Sequence, residues 1–387
     1  MDNKISSTRL YGLDTLRALA IILVLIYHYR VVVSNELLFG FITRIGWVGV
    51  DLFFVLSGYL IGEQILRAYA KKENFSLKHF YARRLLRTLP NYYVVLALYL
   101  LLPALLSPTY TAPLWQFLTF TQNLDMRPME TFTHSWSLCV EEQFYLLFPL
   151  VCMLALARDA NPVRMWVIII AGFIAAILIR AYMLNAHGGP QITGKDYYEF
   201  IYYPSYSRFD ELLPGIAIAL LKNYHPSRYE KLLRYGNAFF VAGLAGCGWV
   251  FYVFLNLAYT QETGTSTWTP VIGYSLLAIS FALLVMAALS PCCWLYRQKI
   301  SGAASLALWS YAIYLIHKPL YQLLEDPVKN LGINTDGYLG MGIIVLISTI
   351  GGWLLFRLVE TPFMNLRTRW FPSNNKTAQV PAGALKE

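Results

Sequence analysis

Arg17 and His28 stand eleven positions apart in a largely apolar stretch, residues 13–33. At ~1.5 Å per residue, a helix there is long enough to cross a bilayer. Eleven steps of about 100° come to three turns plus roughly 20°, so the two side chains share one face about 16 Å apart along the axis. An ionisable group near a bilayer centre costs roughly 2.5–3.5 kcal/mol on insertion scales, which makes the pair candidates for function rather than decoration. The imidazole, with an unperturbed pKa of about 6.5, suits general-base work. Asp14, three residues before Arg17 on the same face, can pair with it.

Other strings add acids and guanidinium groups at the ends of apolar runs. Asp51 stands at the start of one run, with Ser57 and Gly58 further in and Gly49 and Gly58 suited to close helix packing. Arg83, Arg84 and Arg87 fall at i, i+3 and i+4 spacing, so a helix presents them together. Clustered guanidinium groups bind phosphate by paired hydrogen bonds, and they equally serve as topology determinants or anionic-lipid contacts. In the string from His134 to Pro149, Trp136 is followed by Glu141 and Glu142, which point about 100° apart, so only one of them can face a given partner. A carboxylate beside a histidine holds its tautomer and stabilises the imidazolium. Arg208, Asp210 and His317 complete a set expected near one level on five spans.

These residues need a membrane frame. Of 387 residues, 57% are hydrophobic and 14% charged, which excludes an ordinary soluble globule. The expected fold is all-α, a polytopic bundle of about ten spans near residues 13–33, 47–66, 89–107, 137–157, 164–184, 207–221, 237–257, 270–289, 303–324 and 338–358, the sixth being the weakest. Basic residues crowd the connections between alternate spans, from Arg67 to Arg87 and including Arg158 and Lys376. That bias predicts cytoplasmic termini and accounts for the net charge of +9 without nucleic acid. The first run lacks a cleavage-site pattern and is expected to remain as an anchor. One membrane domain over residues 1–372 and a polar, disordered cytoplasmic tail over 373–387 are expected. The five cysteines show no metal-ligand spacing and are assigned to packing, and no metal site is expected.

In this order, Arg17 with His28, GVDLFFVLSGYLI (49–61), Arg84-x-x-Arg87, WSLCVEEQFYLLFP (136–149), RFDELLPG (208–215), YAIYLIH (311–317) and the late Glu360-Thr361-Pro362-Phe363 resemble the acyltransferase type 3 family of integral membrane acyltransferases. The resemblance implies transfer of an acyl group, usually acetyl, from cytoplasmic acyl-coenzyme A to a hydroxyl of a carbohydrate. O-antigens and exopolysaccharides are among the acceptors it implies, in the bacterial inner membrane. It places Arg17 and His28 in an essential first-helix motif and gives Arg84 and Arg87 a part in donor handling. A glutamate of the VEEQFY string and the Arg208/Asp210 pair would support the site. Many relatives carry an additional esterase-like domain, so a separate extracytoplasmic partner is an expectation here. Cys139 falls where the family string varies and is rejected as a nucleophile.

The expected roles follow. His28 is the base, assisted by Glu141, Glu142 and Asp51, while Arg17, Arg84 and Arg87 hold the phosphates of acetyl-coenzyme A, a donor substrate rather than a resident cofactor. Arg208, Asp210, Trp136 and His317 meet the acceptor. An acyl-enzyme on His28 or Ser57 remains open. The competing function is a transporter or flippase for a lipid-linked saccharide, since charges within spans also line transport paths.

Overall fold

The computed structural model describes residues 10–106, 112–156, 159, 161–256, 259–260 and 264–372. The expected tail from Ser373, with Lys376, and Arg158 lie outside the described residues. Among the described residues the regular structure is helical apart from a short antiparallel ribbon that pairs Tyr259 with Thr265 and Thr260 with Gly264. Ten main helices follow one another: α1 (Tyr11–Val32), α2 (Val48–Ala70), α3 (Leu77–Leu101), α4 (Trp136–Leu156), α5 (Pro162–Ala186), α6 (Leu213–Tyr224), α7 (Gly236–Asn256), α8 (Tyr274–Leu289), α9 (Ala303–Asn330) and α10 (Tyr338–Leu355). The last continues through a wide turn, Phe356–Glu360, into α11 (Thr361–Trp370).

A helix covers each expected span, yet among the described residues seven helices are long and apolar enough to cross a membrane: α1, α2, α4, α5, α7, α8 and α10 with its continuation. The other three depart for local reasons. α3 begins at Leu77, so the basic cluster Arg83–Arg87 is part of its first half rather than of a loop. α6 has 12 residues, about 18 Å, short of a hydrocarbon core of about 30 Å. α9 has 28 residues but carries Lys318, Glu325, Asp326 and Lys329.

α2 and α8 are enclosed, whereas α5 and α7 expose most of their apolar side chains, as lipid-facing helices do. α1 packs against α2, α8 and α9, which puts the Arg17/His28 face inside the bundle. Lipid offers no hydrophobic drive for helices to associate, so close backbone approach matters. α2 and α6 meet at two glycines: a Cβ on Gly58 would strike the Leu212 carbonyl, and one on Gly215 the Val55 carbonyl and the Tyr59 nitrogen. Gly49 lies in the same way against the Ala20 carbonyl of α1.

Gly215→Ala therefore forces α2 and α6 apart and is expected to destabilise the protein by about 1–3 kcal/mol. A lowered thermal midpoint in detergent would report it. Gly248→Ala on α7, where nothing lies within 4 Å of the added carbon, should leave the midpoint near wild type.

Candidate active site

The far half of α1, the start of α4 and the middle of α9 bring three imidazoles together. Ring centroids are 4.9 Å apart for His28 and His317, 5.3 Å for His134 and His317, and 6.3 Å for His28 and His134. Pro319 explains part of this arrangement. Lacking an N–H, it leaves the carbonyl of residue 315, four positions back, without its helical donor. His134 Nε2 fills that vacancy, donating to the Leu315 carbonyl at 3.0 Å. Tyr314 then donates its hydroxyl proton to the His134 carbonyl at 2.6 Å and lies 2.6 Å from Ser137 Oγ, which fixes the 3-10 turn Thr133–Ser135 ahead of α4.

The hydrogen bonds also order the protons. His317 Nδ1 lies 2.7 Å from the Tyr314 carbonyl and 3.2 Å from that of Ile313. Carbonyls only accept, so Nδ1 carries the ring proton and Nε2 holds a lone pair. That Nε2 is 3.0 Å from His28 Nδ1, which must donate. His28 Nε2 is left as the basic atom. His317 and His134 are sealed, at 0% and 2% exposure, while His28 is half-buried.

Glu141 and Glu142, expected beside His28, lie elsewhere. They sit about two turns further along the bundle than His134. Ser57 donates to Glu141, and the Arg84 guanidinium lies 3.9 Å from Glu142 and 3.6 Å over the Tyr145 ring. The group that fixes His28 is His317, expected instead to meet the acceptor. Arg17 stays within electrostatic reach of Arg87, Asp14 and Arg84. At that end a cavity of about 310 Å³ is lined by Arg67, Arg83, Arg84, Arg87, Arg367 and one acid, Glu63. Lys222 holds Glu63 at 2.9 Å, so the guanidinium groups dominate.

Asp51, Arg208 and Asp210 are fully buried and bond to protein groups, with Asp51 Oδ2 left without a hydrogen-bond partner among the described residues. Arg208 donates to Asp51 at 2.8 Å and to Glu211, and its guanidinium stacks on Tyr274, Tyr202 and Trp136 at 3.9, 4.7 and 5.1 Å. Asp210 takes two bonds from Arg180, at 2.7 and 2.9 Å, and one from Ser275 at 2.6 Å. Arg180 fills its remaining donors with the Val271 and Ser207 carbonyls and Ser275. Asp51, expected as an acid beside the base, and Arg208 and Asp210, expected as acceptor ligands, are each paired with a buried protein charge here. The 3-10 turn Phe209–Leu212 sends Asp210 toward Arg180 of α5 and Glu211 back to Arg208. Trp136, 4% exposed, packs against Tyr202 with ring centroids 4.8 Å apart and the planes tilted by 52°.

Two residues with roles here went unselected. Arg180 was a lone guanidinium inside the fifth apolar run, a signal in itself. His134 opens the string whose glutamates drew the reading. Among the described residues no group of three or more His, Cys, Asp or Glu is placed to hold a metal ion. Cys139 is buried, its thiol directed at the Ser135 carbonyl at 3.4 Å.

At the histidine end a second cavity, about 490 Å³, is walled by Tyr27, Trp47, Tyr198, Tyr202, Phe254 and Tyr274, among others. Tyr27 touches the edge of the His28 ring, with centroids 5.4 Å apart. Burial pushes the Tyr197 hydroxyl of this wall up to about 12, so it stays neutral in its 2.6 Å bond with Tyr274.

The apolar helices and their polar interior define an integral membrane protein. The chain belongs to the acyltransferase type 3 family, matching its acyltransferase domain over residues 10–357. It is 26% identical over 378 residues to O-acetyltransferase OatA of Staphylococcus aureus strain NCTC 8325 / PS 47, covering 94% of this chain and 58% of that protein. OatA of strain COL matches to the same extent. The chain thus spans less than two thirds of the length of these relatives. No solved structure matches it.

Asp210→Asn leaves the buried Arg180 without its counter-charge and is expected to destabilise by about 3–5 kcal/mol. The readout is a lower thermal midpoint. An unchanged midpoint with a raised acceptor KM would return Asp210 to the role of a substrate ligand.

Proposed function

We propose that this protein is a membrane O-acetyltransferase that moves an acetyl group from cytoplasmic acetyl-coenzyme A to a hydroxyl of a cell-surface or exported carbohydrate. One observation carries this reading: an imidazole with a free lone pair, His28, stands between an arginine-lined cavity at one end of the bundle and an aromatic-walled cavity at the other. In this reading the protein lies in a bacterial inner membrane; the basic bias of the connections supports a cytoplasmic side for the arginine end and for both termini.

The donor's phosphates would sit among Arg84, Arg87 and Arg367, where guanidinium groups outnumber carboxylates. Its pantetheine arm would follow the polar face from Arg17 past Ser57 and Glu141 to His28, a distance of about 16 Å along α1. His28 Nε2 takes the proton of the acceptor hydroxyl as its oxygen attacks the thioester carbonyl. The new C–O bond forms, the C–S bond breaks, and the proton passes to the departing thiolate. His317 Nε2 accepts the hydrogen bond from His28 Nδ1–H and so steadies the charge that develops on His28 during this step. Lys318 exerts its charge on all three imidazoles and would favour the developing oxyanion.

Purified protein incubated with acetyl-coenzyme A and extracted surface glycans should release coenzyme A and add one acetyl mass to the glycan. His28→Ala should abolish both while the protein still inserts, and near-normal transfer by that variant would refute the assignment. Arg87→Gln is expected to raise the KM for acetyl-coenzyme A with kcat little changed. Position 317 separates fixing the base from binding substrate: His317→Gln keeps an acceptor for His28 Nδ1 and should retain most of kcat. His317→Leu should lose about 10²-fold or more in kcat with both KM values near wild type.

A further inference from the structure

Acyl transfer to a neutral sugar has no need of the two arginines on the wall of the larger cavity. Arg30 lies in the last turn of α1, two residues beyond His28, and Arg44 sits on the short helix Phe41–Ile45. Both line the 490 Å³ cavity, and among the described residues no aspartate or glutamate lines it. Neither forms an ion pair among the described residues, and Arg30 Nε is buried without a hydrogen-bond partner. Arg44 is exposed; the partly buried Arg30 is the one that contrasts with Arg180 and Arg208, each bonded to carboxylates. A guanidinium left without a counter-ion in a partly enclosed apolar setting favours an anion that brings its own charge.

The rest of the wall suits a carbohydrate. Seven aromatic side chains line the cavity, and Trp47 is held edge-on by Phe254, Tyr274 and Tyr202 at 5.1, 5.9 and 6.2 Å. Rigid aromatic faces with a few convergent polar groups characterise small-molecule sites of about 300–1,000 Å³. Tyr27 joins this wall to the His28 ring.

We infer that the cavity selects an acidic saccharide as acceptor, with carboxylate or phosphate oxygens against Arg30 and Arg44 and a sugar face against Trp47. The role as acceptor rests on the acyl-transfer reading of the same site; the binding preference does not. The anion makes paired hydrogen bonds with the guanidinium groups, and the aromatic wall excludes a fully hydrated competitor.

Calorimetry on the full chain in phosphatidylcholine nanodiscs tests this with two probes, tetragalacturonate and 6-phosphomaltotetraose, each against its neutral counterpart. At least one acidic probe should bind about ten-fold more tightly or better, the scale of one charged hydrogen bond. Arg30→Gln and Arg44→Gln should each remove most of that preference while leaving the thermal midpoint and the acetyl-coenzyme A affinity at wild-type values. No preference in either pair, or a preference that survives both substitutions, overturns the inference. So does its loss in phosphatidylglycerol nanodiscs, which would assign the arginines to a lipid headgroup. Binding of an acidic probe by protein that fails to transfer acetyl would refute the proposed function and the acceptor role, and leave the binding preference standing. Transfer to glycans without acidic preference would do the reverse.

Discussion

A guanidinium group inside a membrane protein has to bring its counter-charge with it, and the architecture at the histidine end depends on how Arg208 does so. Its bonds to Asp51 of α2 and to Glu211 of the turn before α6 tie two separate elements to one cation. That tie sets α6 against α2, where Gly58 and Gly215 let the backbones touch. Tyr202 and Tyr274, stacked on the same guanidinium, also line the larger cavity. Arg180 repeats the solution one layer away, joining α5 to Asp210 and Ser275. Removing a partner from such a pair is far more damaging than never having had the pair, so each lock tolerates little change.

The histidine cluster follows another logic. Its order comes from backbone carbonyls, which can only accept. A proline in α9 frees the Leu315 carbonyl for His134, and the helix itself supplies the Ile313 and Tyr314 carbonyls that hold the proton of His317. No carboxylate is needed to set the tautomer of His28. The acids that might have served, Glu141 and Glu142, occupy the middle of the bundle with Ser57 and Arg84. They separate the guanidinium-rich end from the imidazoles, so the interior is graded from cationic to aromatic along α1.

Much of this was legible in local sequence. The spacing of Arg17 and His28 on one helix follows from the 3.6-residue period, and the structure puts their shared face inside the bundle. The glycines expected to pack do so. Membrane character and the family could be read from apolar runs and ordered strings. Asp51, Arg208 and Asp210 were read as neighbours of a site because charges at span ends look alike whether they meet a substrate or one another. Arg180 carried a signal of its own, an arginine amid isoleucine and alanine, but its partner lies thirty residues away in sequence.

By itself, then, the chain determined which segments are apolar helices, where their polar faces lie and which family they belong to, since each of these depends on residues within a few turns of one another. Tertiary structure alone decided the pairings: His28 with His317, His134 with the carbonyl freed by Pro319, Arg208 with Asp51 and Arg180 with Asp210. The physical reason is that a buried polar group takes the nearest partner that satisfies it. Nearness across 289 residues of chain, as between His28 and His317, is created only when helices pack.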